Sequence, residues 1–302
     1  MKLDLASIRE NNLSIDFLAK KLVEGFITGL HKSPYHGFSV EFAEHRIYNP
    51  GESTRYIDWK VYAKTDKLFT KTFEEETNLR CHILLDVSNS MRYPKKDVSK
   101  LFFGVYASAA LSWLLYKQRD AISITTFGQE IIDQTAVKST TAHVQKLFGL
   151  LDETLHKKRD NEDTNLAHVI HEISNTIHKR SLVVLFSDMI STSDNEKEFI
   201  EALMHLKHNK HEIIIFHIKD KKTEVDFEFQ ELPHLFIDLE SGEKVKLRPS
   251  EIKAHYQASV KAREEQLKIL CGELNIDLVE VDTAEDIDNV LNTFLIKRSK
   301  MV

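Results

Sequence analysis

CHILLDVSNSM, residues 81–91, decides how this chain folds. An apolar run from Ile83 to Leu85 ends on Asp86, and Ser88 and Ser90 follow at alternate positions. Asp, Asn and Ser favour turns by bonding their own backbone, so the stretch alone reads as a strand running into a turn. A chemical role for the carboxylate and the two hydroxyls needs partners elsewhere in the chain. Four further apolar runs match the first: AISITTF (121–127), SLVVLFSD (181–188), HEIIIFHI (211–218) and IDLVEV (276–281). Between them lie helical patterns at 98–117, 141–151, 165–179, 195–208, 251–273 and 284–297. The first places Leu101, Val105, Ala109 and Trp113 at helical spacing. Uninterrupted apolar strands separated by helices predict a parallel sheet covered on both faces, a doubly wound α/β domain over residues 80–302.

The first 79 residues read differently. A helix is predicted from Ser14 to about Leu30, followed by two half-buried strands, Gly37 to Phe42 and Leu68 to Phe73. The turn signal NPGE (49–52) falls between them. This predicts a small β-rich accessory module. A second accessory piece, at 220–250, reads as a hairpin turning at Ser241-Gly242.

Composition narrows the function classes. Of 302 residues, 42% are hydrophobic and 29% charged, as in ordinary globular proteins, and the net charge of −6 gives no pull toward nucleic acid. Cys81 and Cys271 are too far apart for a metal or disulfide motif, which suits a reducing compartment. The opening MKLDLASIREN lacks the layout of a signal peptide, and no uncharged stretch approaches the length of a membrane span. A cytoplasmic location is expected. Glycine is scarce, nine in all, and neither GxxxxGK[ST], GxGxxG nor GxSxG occurs.

In an open parallel sheet, ligands sit beyond the carboxyl ends of the strands, where the strand order reverses. Asp86, Ser88 and Ser90 lie past one such end, Asp188 past another, and Thr164 just before the 165–179 helix. A Thr there is commonly just a helix cap. Together the five form an all-oxygen set, which suits a hard cation such as Mg²⁺. With hydroxyls as direct ligands and carboxylates acting partly through water, the cation would keep enough charge to attract one more carboxylate from a partner.

The order D86-V-S88-x-S90, T164, D188 resembles the metal-ion-dependent adhesion site of von Willebrand factor A domains. HRIYNPGESTRYIDWKVYAKTDKLFTKTFEEE (45–76), DLESGE (238–243) and IDLVEVDTAED (276–286) resemble the bacterial DUF58 family. The resemblance implies a von Willebrand factor A-like domain with a divalent metal, Mg²⁺ or else Mn²⁺ or Ca²⁺, at Asp86, Ser88, Ser90, Thr164 and Asp188. It also implies a protein-interaction role rather than an enzymatic one, with a MoxR-type AAA+ ATPase or its client as partner. The sequence departs from the family pattern at Glu52, where many relatives have Asp. It departs again at NED (161–163), where relatives often have glycine.

Other signals have plainer readings. RYIDWK (55–60) reads as a structural joint, with an Arg55–Asp58 ion pair and Trp59 packed on the α/β domain. HLKHNKH spaces His205, His208 and His211 three apart, but across a helix end and a strand start they cannot share a face, which argues against zinc. His168 and His171 read as helix surface, and the acidic run at 74–76 as a solvated strand end. The enzyme alternative is a phosphohydrolase with Asp86 as nucleophile. That chemistry wants a second acid two residues on, where this chain has Ser88, and a lysine-bearing phosphate motif, of which none is evident.

Overall fold

The computed structural model describes residues 14–30, 44–47, 59–72, 79–94, 98–157, 165–189, 196–239 and 242–299. The chain divides into two compact units, Met1–Gly29 with Leu79–Val302, and Leu30–Asn78. In the smaller unit, β1 (Glu44–Ile47) pairs antiparallel with β2 (Phe69–Thr72), and a short helix α2 (Trp59–Thr65) lies between them in sequence. The strand expected at Gly37 to Phe42 and the turn at 49–52 lie outside the described residues, as do Arg55 and Asp58. Trp59, expected at a joint with the α/β domain, belongs to the smaller unit. Its side chain is 59% exposed and meets the ring of Tyr62 edge-on.

The larger unit is built on six strands. They are β3 (Arg80–Asp86), β4 (Ala121–Phe127), β5 (Ile131–Gln134), β6 (Leu182–Ser187), β7 (Glu212–Lys219) and β10 (Asp277–Asp282), in the order β10-β7-β6-β3-β4-β5. All neighbours are parallel except β5, which turns back against β4 through a short connection. Sequence reading missed β5: four half-exposed residues at a sheet edge carry too little apolar signal. The other five strands fall within a residue or two of their predicted limits, because four are buried runs bounded by polar residues and β10 carries Leu278, Val279 and Val281 between acidic ends.

Side-chain alternation divides the strands between two cores. Ile83 and Leu85, Val184 and Phe186, and Ile214 and Phe216 point to one face. There they meet α1 (Ile15–Leu30), α3 (Lys100–Lys117), α4 (Thr141–His156) and α8 (Ile287–Ser299). Leu84, Val183, Leu185, Ile213 and Ile215 point to the other face. There they meet α5 (Leu166–Thr176), α6 (Glu196–His208) and α7 (Pro249–Glu273). This is the doubly wound α/β arrangement.

The helix α3 is buried from Lys100 to Leu115, all the way round, as its near-uniform hydrophobicity requires. Gly104 lets it approach the sheet: a Cβ there would stand 2.9 Å from Leu85 Cδ1. The sequence grouped α1 with the first 79 residues, but its apolar face belongs to the larger unit. Leu18, Ala19 and Val23 are fully buried in that core, and Lys20 lies over the Trp113 ring. The predicted hairpin is present as β8 (His234–Ile237) against β9 (Lys244–Leu247). Gly242, at φ 74°, makes the turn, while Ser241 lies outside the described residues.

Candidate functional site

The strand order fixes where a ligand can sit. From β3 the chain crosses to β4 on one side, whereas β6 lies on the other side of β3. The connections leaving the carboxyl ends of β3 and β6 therefore run to opposite faces and open a crevice between them. Asp86 is the last residue of β3, and Asp188 directly follows β6.

The backbone locks the first group. Asp86 is fully buried, and its Oδ1 accepts the Ser88 N–H at 3.0 Å, the turn that the sequence suggested. Its Oδ2 accepts the Ser187 hydroxyl at 2.7 Å. Ser88 and Ser90 are buried, with their Oγ atoms 3.0 Å apart. Ser187 also accepts the Met189 N–H at 3.0 Å, so one hydroxyl ties the two strand ends together. Met189 holds a left-handed φ of 57°, and its carbonyl accepts from Arg263 of α7 at 2.5 Å. The Asp188 carbonyl accepts Nε2–H of buried His217 at 3.0 Å.

The side chain of Asp188 meets a lysine. Lys100, 0% exposed at the start of α3, donates to Asp188 Oδ2 at 2.7 Å and to Glu224 Oε1 at 2.5 Å. Glu224 belongs to the turn Lys221–Val225 after β7, and its Oε2 accepts the Asp220 N–H at 2.8 Å. Burial by itself would lower the Lys100 pKa, but the two carboxylates outweigh it and keep the ammonium charged. Burial, then the nearby Asp188 charge, pushes Asp86 above the usual carboxylate range, against the opposing hydrogen bonds from Ser187 and Ser88. Burial likewise raises Glu224, with Lys100 pulling the other way. Asp188 and Glu224 face the one ammonium, and Asp86 lies beside Asp188, so the formal charge of these four groups is about −2.

Of the five residues singled out in sequence, Asp86, Ser88, Ser90 and Asp188 come together at this edge. Thr164 lies outside the described residues. Its neighbour Asn165 caps α5 by accepting the His168 N–H at 3.1 Å, and its own N–H donates to the Gly128 carbonyl just beyond β4. Sequence reasoning missed Lys100, Ser187, His217 and Glu224. One signal for Lys100 was available: a cation at a helix N-terminus opposes the helix dipole, and here it opens a helix too apolar to be solvated. Among the described residues, no three of His, Cys, Asp and Glu gather as a metal-binding group. The histidines 205, 208 and 211 go separate ways. His205 Nδ1 lies 3.4 Å from His171 Nδ1, His208 is exposed, and buried His211 accepts the Ser181 N–H. His171, read as surface, is half-buried by that pairing.

No described helix is long and apolar enough to cross a membrane. Among solved structures, the chain is similar to the hypothetical protein BatB of Bacteroides thetaiotaomicron (14% identity, TM-score 0.46, 74% of this chain and 99% of that one). It is also similar to an aerotolerance-related membrane protein of Bacteroides fragilis (14%, TM-score 0.47, 72% and 99%) and to the SpRpn10 VWA domain (12%, TM-score 0.38, 72% and 95%). Uncharacterized proteins of Mycobacterium tuberculosis and Mycobacterium bovis are 20% identical over 230 residues, 76% of this chain and 70% of theirs. Residues 44–266 match the family described as protein of unknown function DUF58. That match takes in β1, the whole strand-and-helix framework through β9 and most of α7, and with it the chain belongs to the DUF58 family.

Proposed function

We propose that the chain is a protein-interaction module that holds a divalent cation, Mg²⁺ or else Mn²⁺ or Ca²⁺, at Asp86, Ser88, Ser90, Thr164 and Asp188. An acidic side chain of a partner protein would be the last ligand. The observation that carries this reading is the Ser88–Ser90 spacing. Two ligands at right angles on an octahedron of radius about 2.1 Å stand about 3.0 Å apart, and the two hydroxyls, hydrogen-bonded to each other, already hold their oxygens at 3.0 Å. The residues fit a hard cation in chemistry as well: every donor is oxygen, and the local charge is negative. Both Asp86 oxygens already accept protein donors, which suits contact through water or through a remaining lone pair. A bound cation would supply a positive centre for a carboxylate. This chain's residues orient the two hydroxyls, exclude bulk water around Asp86 and hold both strand ends in register. The family resemblance suggests a MoxR-type AAA+ ATPase as the partner and a cytoplasmic setting.

The phosphohydrolase alternative gains one element absent from the sequence reading, a lysine at the site. Its ammonium, however, is bound to Asp188 and Glu224, and Ser88 still stands where a proton-donating acid belongs. Titration with Mn²⁺, followed by capture of a MoxR-type ATPase in Mg²⁺ and in EDTA, tests the reading. We expect Asp86→Ala to abolish both Mn²⁺ binding and Mg²⁺-dependent capture while the fold survives. Capture by Asp86→Ala with unchanged affinity and unchanged Mg²⁺ dependence would overturn it, and phosphatase turnover dependent on Asp86 would favour the alternative.

A further inference from the structure

Lys100 is the most costly residue in the crevice. A fully buried ammonium is expensive unless it is paired, and this one sits where the helix dipole also opposes it. Its two partners come from different elements: Asp188 from the end of β6, and Glu224 from the turn after β7. Asp188 is one of the five residues assigned to the cation, so the ammonium and a divalent cation draw on the same carboxylate. Like charges within one water-poor crevice repel strongly. Glu224 works in the opposite sense. It is anchored by the Asp220 N–H and shares the lysine charge, which lessens the hold of Lys100 on Asp188.

We propose that Lys100 is a positioning residue that sets the cation affinity of the crevice, holding Asp188 by one oxygen and keeping divalent-cation binding weak, with Glu224 moderating that hold. The inference rests on the cation-binding reading above and goes beyond it. On this reading the free protein binds the cation weakly, and an incoming partner carboxylate completes the site. By formal charge, removing Lys100 takes the four groups from about −2 to −3, and neutralising Glu224 takes them to about −1, so the two changes move the affinity in opposite directions.

The test is Mn²⁺ binding by electron paramagnetic resonance and calorimetry on the full chain, with no partner present. Lys100→Met is expected to bind Mn²⁺ at least about ten-fold more tightly than the unaltered chain, and Glu224→Gln about ten-fold more weakly. Thermal unfolding of Lys100→Met should show lower stability without metal and a larger rise on adding Mn²⁺. A purely structural ion pair predicts something else: both variants lose stability, and neither changes its Mn²⁺ affinity. If the unaltered chain binds Mn²⁺ and Lys100→Met binds it equally, the role of Lys100 is overturned and the cation site stands. If neither the unaltered chain nor Lys100→Met binds Mn²⁺ at millimolar concentration, both readings fall. Binding by Lys100→Met alone supports the role in its strongest form. Should Lys100→Met not fold, Glu224→Gln decides, since unchanged or tighter binding there overturns the proposal.

Discussion

Buried polar residues hold the strand ends of this protein together and include histidines that burial keeps neutral. Ser187 shows how much one small side chain does: it donates to Asp86, accepts from Met189 N–H and so joins two strand ends. His82, in the middle of the sheet, shows the opposite economy. Its Nδ1 meets Ser123 Oγ at 2.8 Å, while its buried Nε2 has no hydrogen-bond partner among the described residues. Burial, with smaller contributions from His211, His178 and Arg80, lowers its pKa from 6.5 to about 4. A group depressed in this way favours folding in its neutral form. Its contribution is whole above pH 6.5 and is lost as the pH falls through 6.5 toward 4. Between pH 7.5 and pH 5 the loss from His82 is about 2 kcal/mol. Urea unfolding at the two pH values should register it, and His82→Gln, which keeps a polar group beside Ser123 but does not titrate, should flatten the dependence. Equal pH slopes in the two proteins would remove His82 from the account. Buried His217, also lowered to about 4 by burial and Lys219, acts in the same direction.

Among the elements, α1 is the one whose placement the sequence could not give. Its amphipathic spacing was legible, and the helix runs from Ile15 to Leu30 as expected from Ser14. Spacing says which side is apolar but not which surface covers it. Leu18 is fully buried in the core of the larger unit, while Phe17, one residue earlier, is 50% exposed beside Lys21. Leu18→Ala should therefore cost about 2–5 kcal/mol, whereas Phe17→Ala should stay within about 0.5 kcal/mol. Denaturant unfolding of the two variants checks this, and similar losses in both would contradict the packing. The helix α3 makes the same point from inside: it is apolar on every side because it is covered on every side, apart from the lysine that opens it.

At the scale of the whole molecule, the chain leaves the larger unit after α1, builds the unit of Leu30–Asn78 and returns at Leu79. A boundary drawn at residue 79 or 80, as the sequence suggests, therefore removes part of the core it was meant to isolate. A chain beginning at residue 79 should unfold at least about 5 °C below the full chain, since losing α1 uncovers Trp113 and the residues packed around it. Thermal melting of the two chains provides the check, and coincident melting would mean that α1 contributes nothing to the larger unit.

The sequence alone determined the α/β class, five of the six sheet strands, the helices between them and four of the residues that gather at the strand ends. Each was written in local order: apolar runs about the length of a strand, helical spacing, and a carboxylate with hydroxyls just past a strand end. What only the tertiary structure decided was the company those residues keep. Ser187 follows Asp86 by 101 residues, and Glu224 follows Lys100 by 124, so no spacing rule brings either pair together. They meet because the sheet order sets β6 beside β3, and because a lysine buried at the head of α3 must find negative charge wherever the fold supplies it.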